Sequence, residues 1–279
     1  MSKLRFALIG DGHIARHHRK AIEHVGGVIG FVVDPKYDAT FNYNTWRGVT
    51  SIPQCELISC DYFIICSPSD LHREQIKFLL SNGHGSAQII CEKPAFLPWE
   101  PIIDSDRLNI VMQLRYIKGL PVKADLVTAH FIRDEKYFYS WKGDPKKTGG
   151  LFFNLWIHHL DLSHRLNADF EGSINLPDDE IPSTIDLLSN KKLKPVRRSI
   201  HYRKQEQELP GGQTLNIIDL QKINMQACYN AMYEDIVSGG GIKPKDIFYL
   251  SWTLQRNSEI FGYGKNGMNR LIRIGKELL

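Results

Sequence analysis

The patterning of the chain predicts an α/β half followed by an α+β half, and three observations carry that reading. A glycine-rich turn joins the first apolar segment to an amphipathic one. Strand and helix patterns then alternate as far as Arg115. After Gly119 the character changes, with strands read at 125–133 and 197–203 on either side of one long helix. Alternation of the first kind predicts a doubly wound parallel sheet, which binds ligands at the carboxyl ends of its strands. The second half predicts a mixed, largely antiparallel open sheet. At 279 residues the chain suits two domains, placed at 1–117 and 118–279.

Residues 5–9 form a short apolar strand, followed by Gly10-Asp11-Gly12-His13-Ile14-Ala15 and a helix to about residue 25. This is a dinucleotide fingerprint in its alanine-ended form. Gly10 permits the tight turn, Gly12 lets the backbone approach a pyrophosphate, His13 and Ile14 open the helix whose N-terminus receives it, and Ala15 allows close packing on the strand. A second apolar strand at 28–33 ends in Asp34, 22 residues beyond Gly12, where an acid accepts hydrogen bonds from the adenosine ribose. Asp34 favours NAD over NADP, while Lys36 close by is compatible with a phosphate. Read alone, Asp34 is also an ordinary acid at the start of a turn before Pro35.

The stretch 38–58 is polar and rich in turn formers and must hold any third strand of the sheet. The apolar strand 61–66 ends in Ser67-Pro68, which should face the nicotinamide, and a helix from about 69 to 82 carries His72 near its start. The buried strand at 87–90 then leads into Cys91-Glu92-Lys93-Pro94. A proline keeps its predecessor out of the helical region, so Lys93 is held extended at the sheet's ligand-binding edge, where a cation can act on a substrate. A solvated surface lysine is the plain alternative for that tetrapeptide alone.

One more strand, 109–115, ends in Arg115 as the chain leaves the first domain. Trp141 and Lys142 follow in a Tyr-Ser-Trp-Lys-Gly-Asp segment, then Gly149-Gly150 and a helix over 151–166 bearing Asn154, His158 and Asp161. Offsets of four and three put these three on one helical stripe, facing a cleft together. A metal site at His158, His159, Asp161 and His164 is not expected: His164 falls well around the helix, and no zinc-helix spacing appears. A core histidine satisfied by hydrogen bonds is a strong rival reading for His159 and His164, and a weaker one for His158, which shares the face of Asn154. Arg115 and Lys142 are candidates for a diphosphate or carboxylate, with solvated basic side chains as the alternative. A helix is read over 218–239.

Bulk composition narrows the classes. A net charge of +4, from 35 basic and 31 acidic residues spread along the chain, argues against nucleic acid. The five cysteines form no C-x-x-C pair, which suits a reducing cytoplasm. The start of the chain lacks a signal-type apolar region and no stretch is long enough to span a bilayer, so no membrane partner is expected.

With GDGHIA, ICSPSDLH and CEKP in this order, the sequence resembles the Gfo/Idh/MocA oxidoreductases. The resemblance implies a Rossmann domain binding NAD through Gly10, Gly12, His13, Ile14, Asp34, Ser67, Pro68, His72, Glu92 and Lys93, with Lys93 also catalytic. It implies a substrate helix in the second domain, where His158 matches the family's histidine. CEKPAFLPWE, MQLRY, YSWKGD with KKTGG, and NLWIHHLD are most similar to the branch that oxidises UDP-N-acetylglucosaminuronic acid at its 3-hydroxyl, in the biosynthesis of surface-polysaccharide sugars. On that resemblance the substrate is a nucleotide sugar held by Arg115, Trp141, Lys142, Asn154, His158 and Asp161. Lys93 stabilises the developing alkoxide, His158 removes the proton and Asn154 orients the hydroxyl; the reverse assignment, with Lys93 as base, stays open.

The departures are specific. Only 26 residues separate Asp34 from Asp61, so part of the adenosine pocket is expected to be missing. Trp156 stands where the branch places glycine and would narrow the substrate pocket, Tyr116-Ile117-Lys118 replaces a histidine-proline continuation, and 168–194 is compressed. These leave room for a relative acting on another nucleotide sugar or polyol, or for a catalytically silent ligand sensor. The family usually associates through the second sheet, which implies a homodimer or homotetramer.

Overall fold

A computed structural model describes residues 3–37, 60–82, 85–132, 135–150, 152–175, 185–186, 201–208, 214–221, 223–247 and 273–274. The chain divides into two compact units, one of Met1–Tyr116, Lys146–Thr148 and Met225–Ile247, the other of Ile117–Pro145, Gly149–Asn224 and Phe248–Leu279. In chain order the principal elements are β1 (Arg5–Ile9), α1 (Ala15–His24), β2 (Val28–Val33), β3 (Tyr62–Ile65), α2 (His72–Asn82), β4 (Gln88–Cys91), β5 (Leu108–Ile110), β6 (Leu126–Ile132), α3 (Ile157–Leu166), β7 (Asp169–Asn175), β8 (Ile185–Asp186), β9 (His201–Glu208), β10 (Thr214–Gln221), α4 (Met225–Val237) and β11 (Arg273–Ile274).

The first unit is a parallel sheet in the order β2-β1-β3-β4-β5. Its inner strands carry unbroken apolar runs because both faces are covered: Phe6 to Ile9 and Phe63 to Ile65 are almost wholly inaccessible to water. Helix α1 buries Ala15, His18, Ala21 and Ile22, a helical stripe that lies on this sheet. The stretch 38–59, including the expected third strand and the shortened adenosine segment, lies outside the described residues.

Two sequence expectations change here. The strand expected over 109–115 ends at Ile110, and Gln113–Tyr116 is a 3-10 turn carrying Arg115. Ile110 pairs with Cys91, the last residue of β4, so beyond Val111 there is no further strand to extend the ladder. The helix expected over 218–239 begins only at Met225. Ile218 lies in β10, where β-branched residues pair with β9 on one side and β6 on the other.

That helix also crosses the linear domain division. Tyr229, Met232, Tyr233 and Ile236 of α4 are buried in the same core as Phe6, Leu8, Ile22 and Ile64, so Met225–Ile247 belongs with the first unit and not with 118–279 as expected. The glycine-rich turn after α4 continues the attachment. Gly239 and Gly241 take φ of +92° and +95°, and the Ile242 carbonyl accepts from the Ile110 amide at 2.7 Å, covering part of the β5 edge.

The second unit is a six-stranded sheet with the path β11-β7-β6-β10-β9 and β8 paired to β7. It is mixed. β6 runs parallel to both β7 and β10, while β9, β8 and β11 join antiparallel, so the largely antiparallel expectation gives way at the centre. Helix α3 packs on β6 and β7 and stops at Asn167, whose left-handed backbone (φ +49°) closes the last turn. Its expected start at 151 is replaced by a π turn at Phe152–Trp156. Of the strand expected over 197–203, His201 onward lies in β9 and 197–200 fall outside the described residues. The compressed segment 168–194 contributes buried Ala168, β7 and β8, with 176–184 and 187–194 outside the described residues.

Candidate active site and cofactor cradle

Register brings several of the expected cofactor residues to one edge. Ile9 of β1 stands beside Val33 of β2 and Ile65 of β3, and Ile65 stands beside Cys91 of β4. The residues that follow each strand, Gly10, Asp34, Ser67 with Pro68, and Glu92 with Lys93, therefore emerge together at the sheet's carboxyl end. The Gly10 amide bonds the Val33 carbonyl at 2.8 Å. A side chain at Gly10 is excluded twice over: its φ is +94°, and a Cβ would stand 2.8 Å from the Cys66 and Ser67 backbone. Gly12 is exposed and a Cβ there would meet nothing within 4 Å, leaving an open cradle at the start of α1.

Ile14 caps α1 and Ala15 is fully buried, which draws the helix start onto the sheet. His13 is exposed and accepts from Arg16 Nη2 at 2.6 Å. Asp34 is held at both carboxylate oxygens, Oδ2 accepting from the Asp11 amide at 2.7 Å and Oδ1 from the Lys36 amide at 2.9 Å. These features fit a dinucleotide: open backbone at the pyrophosphate position, a helix N-terminus and an acid fixed at the ribose position.

Ser67, His72 and Glu92, expected as cofactor contacts, are buried and committed to protein partners. Ser67 Oγ donates to Gln75 Oε1 at 2.7 Å. Pro68 opens the short turn before α2, and the His72 ring lies between two carbonyl oxygens, Pro94 O at 2.7 Å from Nδ1 and Ser67 O at 2.8 Å from Nε2. Burial lowers the His72 pKa against the opposing pull of those carbonyls. The ring thus ties the loop after β3 to the loop that carries Lys93.

Glu92 anchors the same loop from below. Its Oε1 accepts from Tyr229 Oη at 2.5 Å and lies 3.1 Å from His18 Nε2, while Oε2 lies 3.3 Å from the Lys93 amide. His18 Nδ1 in turn bonds Tyr233 Oη at 2.7 Å. Burial alone would raise the Glu92 pKa, but the His18 bond and charge, the Tyr229 hydroxyl and the Lys93 charge bring it below its ordinary value. The buried acid stays ionised. Sequence reasoning missed His18, Tyr229 and Tyr233; the only trace was a histidine on the apolar stripe of α1 and two tyrosines four apart on α4. Lys93 is partly exposed beyond this network, and the Lys93–Pro94 peptide is cis. Arg115 Nη2 donates to the Asp246 carbonyl at 3.2 Å.

In the second unit, Asn154 falls within the π turn that precedes α3. Its Nδ2 donates to Tyr137 Oη at 2.7 Å and to the Lys142 carbonyl at 3.1 Å, pinning the segment that presents Trp141 and Lys142, both exposed. His158 and Asp161 lie on α3 and are buried. Trp156 is only 1 % exposed, with Phe131 of β6 at 6.5 Å between ring centroids. Its bulk is taken up in the core of the unit, which removes the reason to expect it to narrow a substrate pocket. His159 packs edge-on against Phe131 at 5.4 Å, as a core histidine does. Among the described residues no group of three or more His, Cys, Asp or Glu is placed to hold a metal ion, and no helix is long and apolar enough to cross a membrane.

The first unit is thus built as the dinucleotide-binding domain of an oxidoreductase. The chain belongs to the Gfo/Idh/MocA family: residues 4–108 match its "oxidoreductase family, NAD-binding Rossmann fold" domain and residues 119–170 its "C-terminal alpha/beta domain". NAD is the cofactor of this domain. Among solved structures the fold is similar to that of the WlbA (WbpB) dehydrogenase from Thermus thermophilus. In complex with NAD and UDP-GlcNAcA that structure aligns with a TM-score of 0.63 at 21% identity, covering 96% of this chain and 98% of the other. In complex with NAD and alpha-ketoglutarate it aligns with a TM-score of 0.61, also at 21% identity, with the same coverage.

Proposed function

We propose that this protein is a nucleotide-sugar dehydrogenase that oxidises the 3-hydroxyl of UDP-N-acetylglucosaminuronic acid, or of a closely related UDP-N-acetylhexosaminuronic acid, to the 3-keto sugar. The observation that carries the reading is the alignment of Gly10, Asp34, Ser67 and Lys93 at one sheet edge, which sets a lysine beside the NAD cradle. The WlbA dehydrogenase of Thermus thermophilus, which shares the fold, is described with NAD and this sugar, and the blocks read from the sequence point to the same substrate.

NAD, when bound, supplies the acceptor for the hydride lost from the sugar's C3. Lys93 Nζ donates to the 3-hydroxyl oxygen and stabilises its developing negative charge, and His158 receives the hydroxyl proton. Asn154 acts by holding the segment of Trp141 and Lys142 through the Lys142 carbonyl, and the cation that meets the diphosphate or carboxylate is Arg115 or Lys142. Association into a homodimer or homotetramer is part of the proposal.

The test mixes purified protein with NAD, UDP-N-acetylglucosaminuronic acid and a 2-oxo acid, since the same Thermus thermophilus enzyme is also described with alpha-ketoglutarate. Mass spectrometry follows the sugar. Formation of a 3-keto sugar, lost by at least about a thousandfold in Lys93→Met while NAD still binds, is the expected result. Bound NAD with no oxidation of this sugar overturns the substrate assignment and directs the search to other nucleotide sugars and polyols.

A further inference from the structure

The fingerprint's middle residue, Asp11, is surrounded by donors that a purely NAD-binding site does not need. Arg19 approaches its Oδ1 with Nη2 at 2.9 Å and Nε at 3.1 Å. Lys36 Nζ lies 3.0 Å from its Oδ2 and 2.6 Å from its backbone carbonyl, and Tyr37 Oη donates to Oδ2. The Lys36 ammonium also lies 4.8 Å from the centroid of the Tyr37 ring. All of this adjoins the ribose acid, because the Asp11 amide is the group that holds Asp34 Oδ2.

Exposure orders the cluster. The Asp11 side chain is 11% exposed, against 37% for Arg19 and 48% for Lys36, so the acid lies beneath and the two cations lie toward solvent. Among the described residues of this cluster, two acids, Asp11 and Asp34, balance two cations, Arg19 and Lys36. An uncharged ribose diol enters such a site without disturbing its charge. A ribose carrying a 2′-phosphate brings a strong anion beside Asp34 and finds Arg19 and Lys36 already paired. Without the Asp11 charge, the same two cations and the Tyr37 hydroxyl would be an anion site of the kind that accepts a 2′-phosphate.

From this geometry we infer that Asp11 is a specificity-determining residue for the cofactor: it rejects NADP by occupying Arg19 and Lys36, while Asp34 selects NAD by direct contact with the ribose. Burial alone would raise the Asp11 pKa, but Tyr37, Lys36 and Arg19 bring it down to about 2, so the acid carries its charge at every physiological pH. The inference rests on dinucleotide binding at this edge and is independent of the sugar.

The test is calorimetric titration of the full chain with NAD and with NADP, for wild type, Asp11→Asn and the double variant Asp11→Asn/Lys36→Gln, each checked for folding by circular dichroism. Wild type should prefer NAD. Asp11→Asn should shift the NADP-to-NAD affinity ratio toward NADP by roughly tenfold, the size of one charge-assisted contact, and the second substitution should take most of that shift away. An unchanged ratio in a folded Asp11→Asn protein overturns the proposal, as does a shift that survives loss of Lys36 in full. If Asp11→Asn does not fold, Lys36→Gln alone reads the same balance, and the ratio must then move further toward NAD. Failure of folded wild type to bind either dinucleotide sinks the proposal together with the cofactor assignment, an outcome distinct from binding NAD without oxidising the sugar.

Discussion

At the scale of single residues, two glycines of one motif do different work. Gly10 meets the backbone of the neighbouring strand end and holds a positive φ, so its demand is structural. Gly12 faces open space, so its demand comes from the cofactor. Gly10→Ala should destabilise the protein by at least about 1–3 kcal/mol through backbone strain and overlap, read as a lower denaturant midpoint. Gly12→Ala should leave the melting temperature without NAD unchanged and weaken NAD binding by roughly tenfold or more, because its methyl group fills the approach to the pyrophosphate. Equal effects of the two substitutions on stability would contradict this division. Both glycines were legible as a motif; which one the fold needs was decided by what stands opposite each.

At the scale of elements, α4 is the unexpected part. It reaches the first sheet from a point more than a hundred residues downstream and sets Tyr229 on Glu92 and Tyr233 on His18. The Lys93 loop is thereby held from two directions, by Glu92 below and by the His72 ring across to Ser67. A carboxylate whose folded pKa is depressed contributes stability that is fully present above its unfolded value, about 4.3, and is lost as pH falls through the folded value. Glu92 is such a group. Glu92→Gln should therefore flatten the stability-against-pH curve below about pH 4.3, measured as urea midpoints across the acid range, whereas an acid limb as steep as wild type would show that Glu92 is not depressed. The sequence marked a helix over 218–239. It carried no record of which sheet that helix would cover, since any apolar surface satisfies a helical stripe.

At the scale of the whole molecule, the first unit is discontinuous. Tyr229, Met232, Tyr233 and Ile236 are all nearly inaccessible to water within its core. Removing four such side chains forfeits on the order of 8 kcal/mol of burial, comparable with the entire stability of an ordinary domain. A chain cut after Asn224 should accordingly lose cooperative melting of the NAD-binding unit and its calorimetric response to NAD. A truncated chain that still melts sharply and binds NAD at wild-type affinity would show that α4 is dispensable to it. The expected division at 117/118 took each domain as one stretch, because composition changes there; a segment that returns later leaves no compositional mark.

What the sequence by itself determined is whatever depends on neighbours along the chain. The glycine turn, the acid after β2, the lysine before proline and the apolar strands each declare themselves within a few residues, because backbone sterics and alternation act locally. Tertiary structure decided the rest. Register brought the strand ends to one edge, the end of β4 limited β5, and packing set Asn154, in a π turn, on Tyr137 and Lys142. It also made Glu92 and His72 supports of the Lys93 loop, and placed Asp11 beneath two cations. Each of these outcomes depends on contacts between residues distant in sequence, and a buried polar group takes whichever partner the packed chain brings within hydrogen-bonding reach.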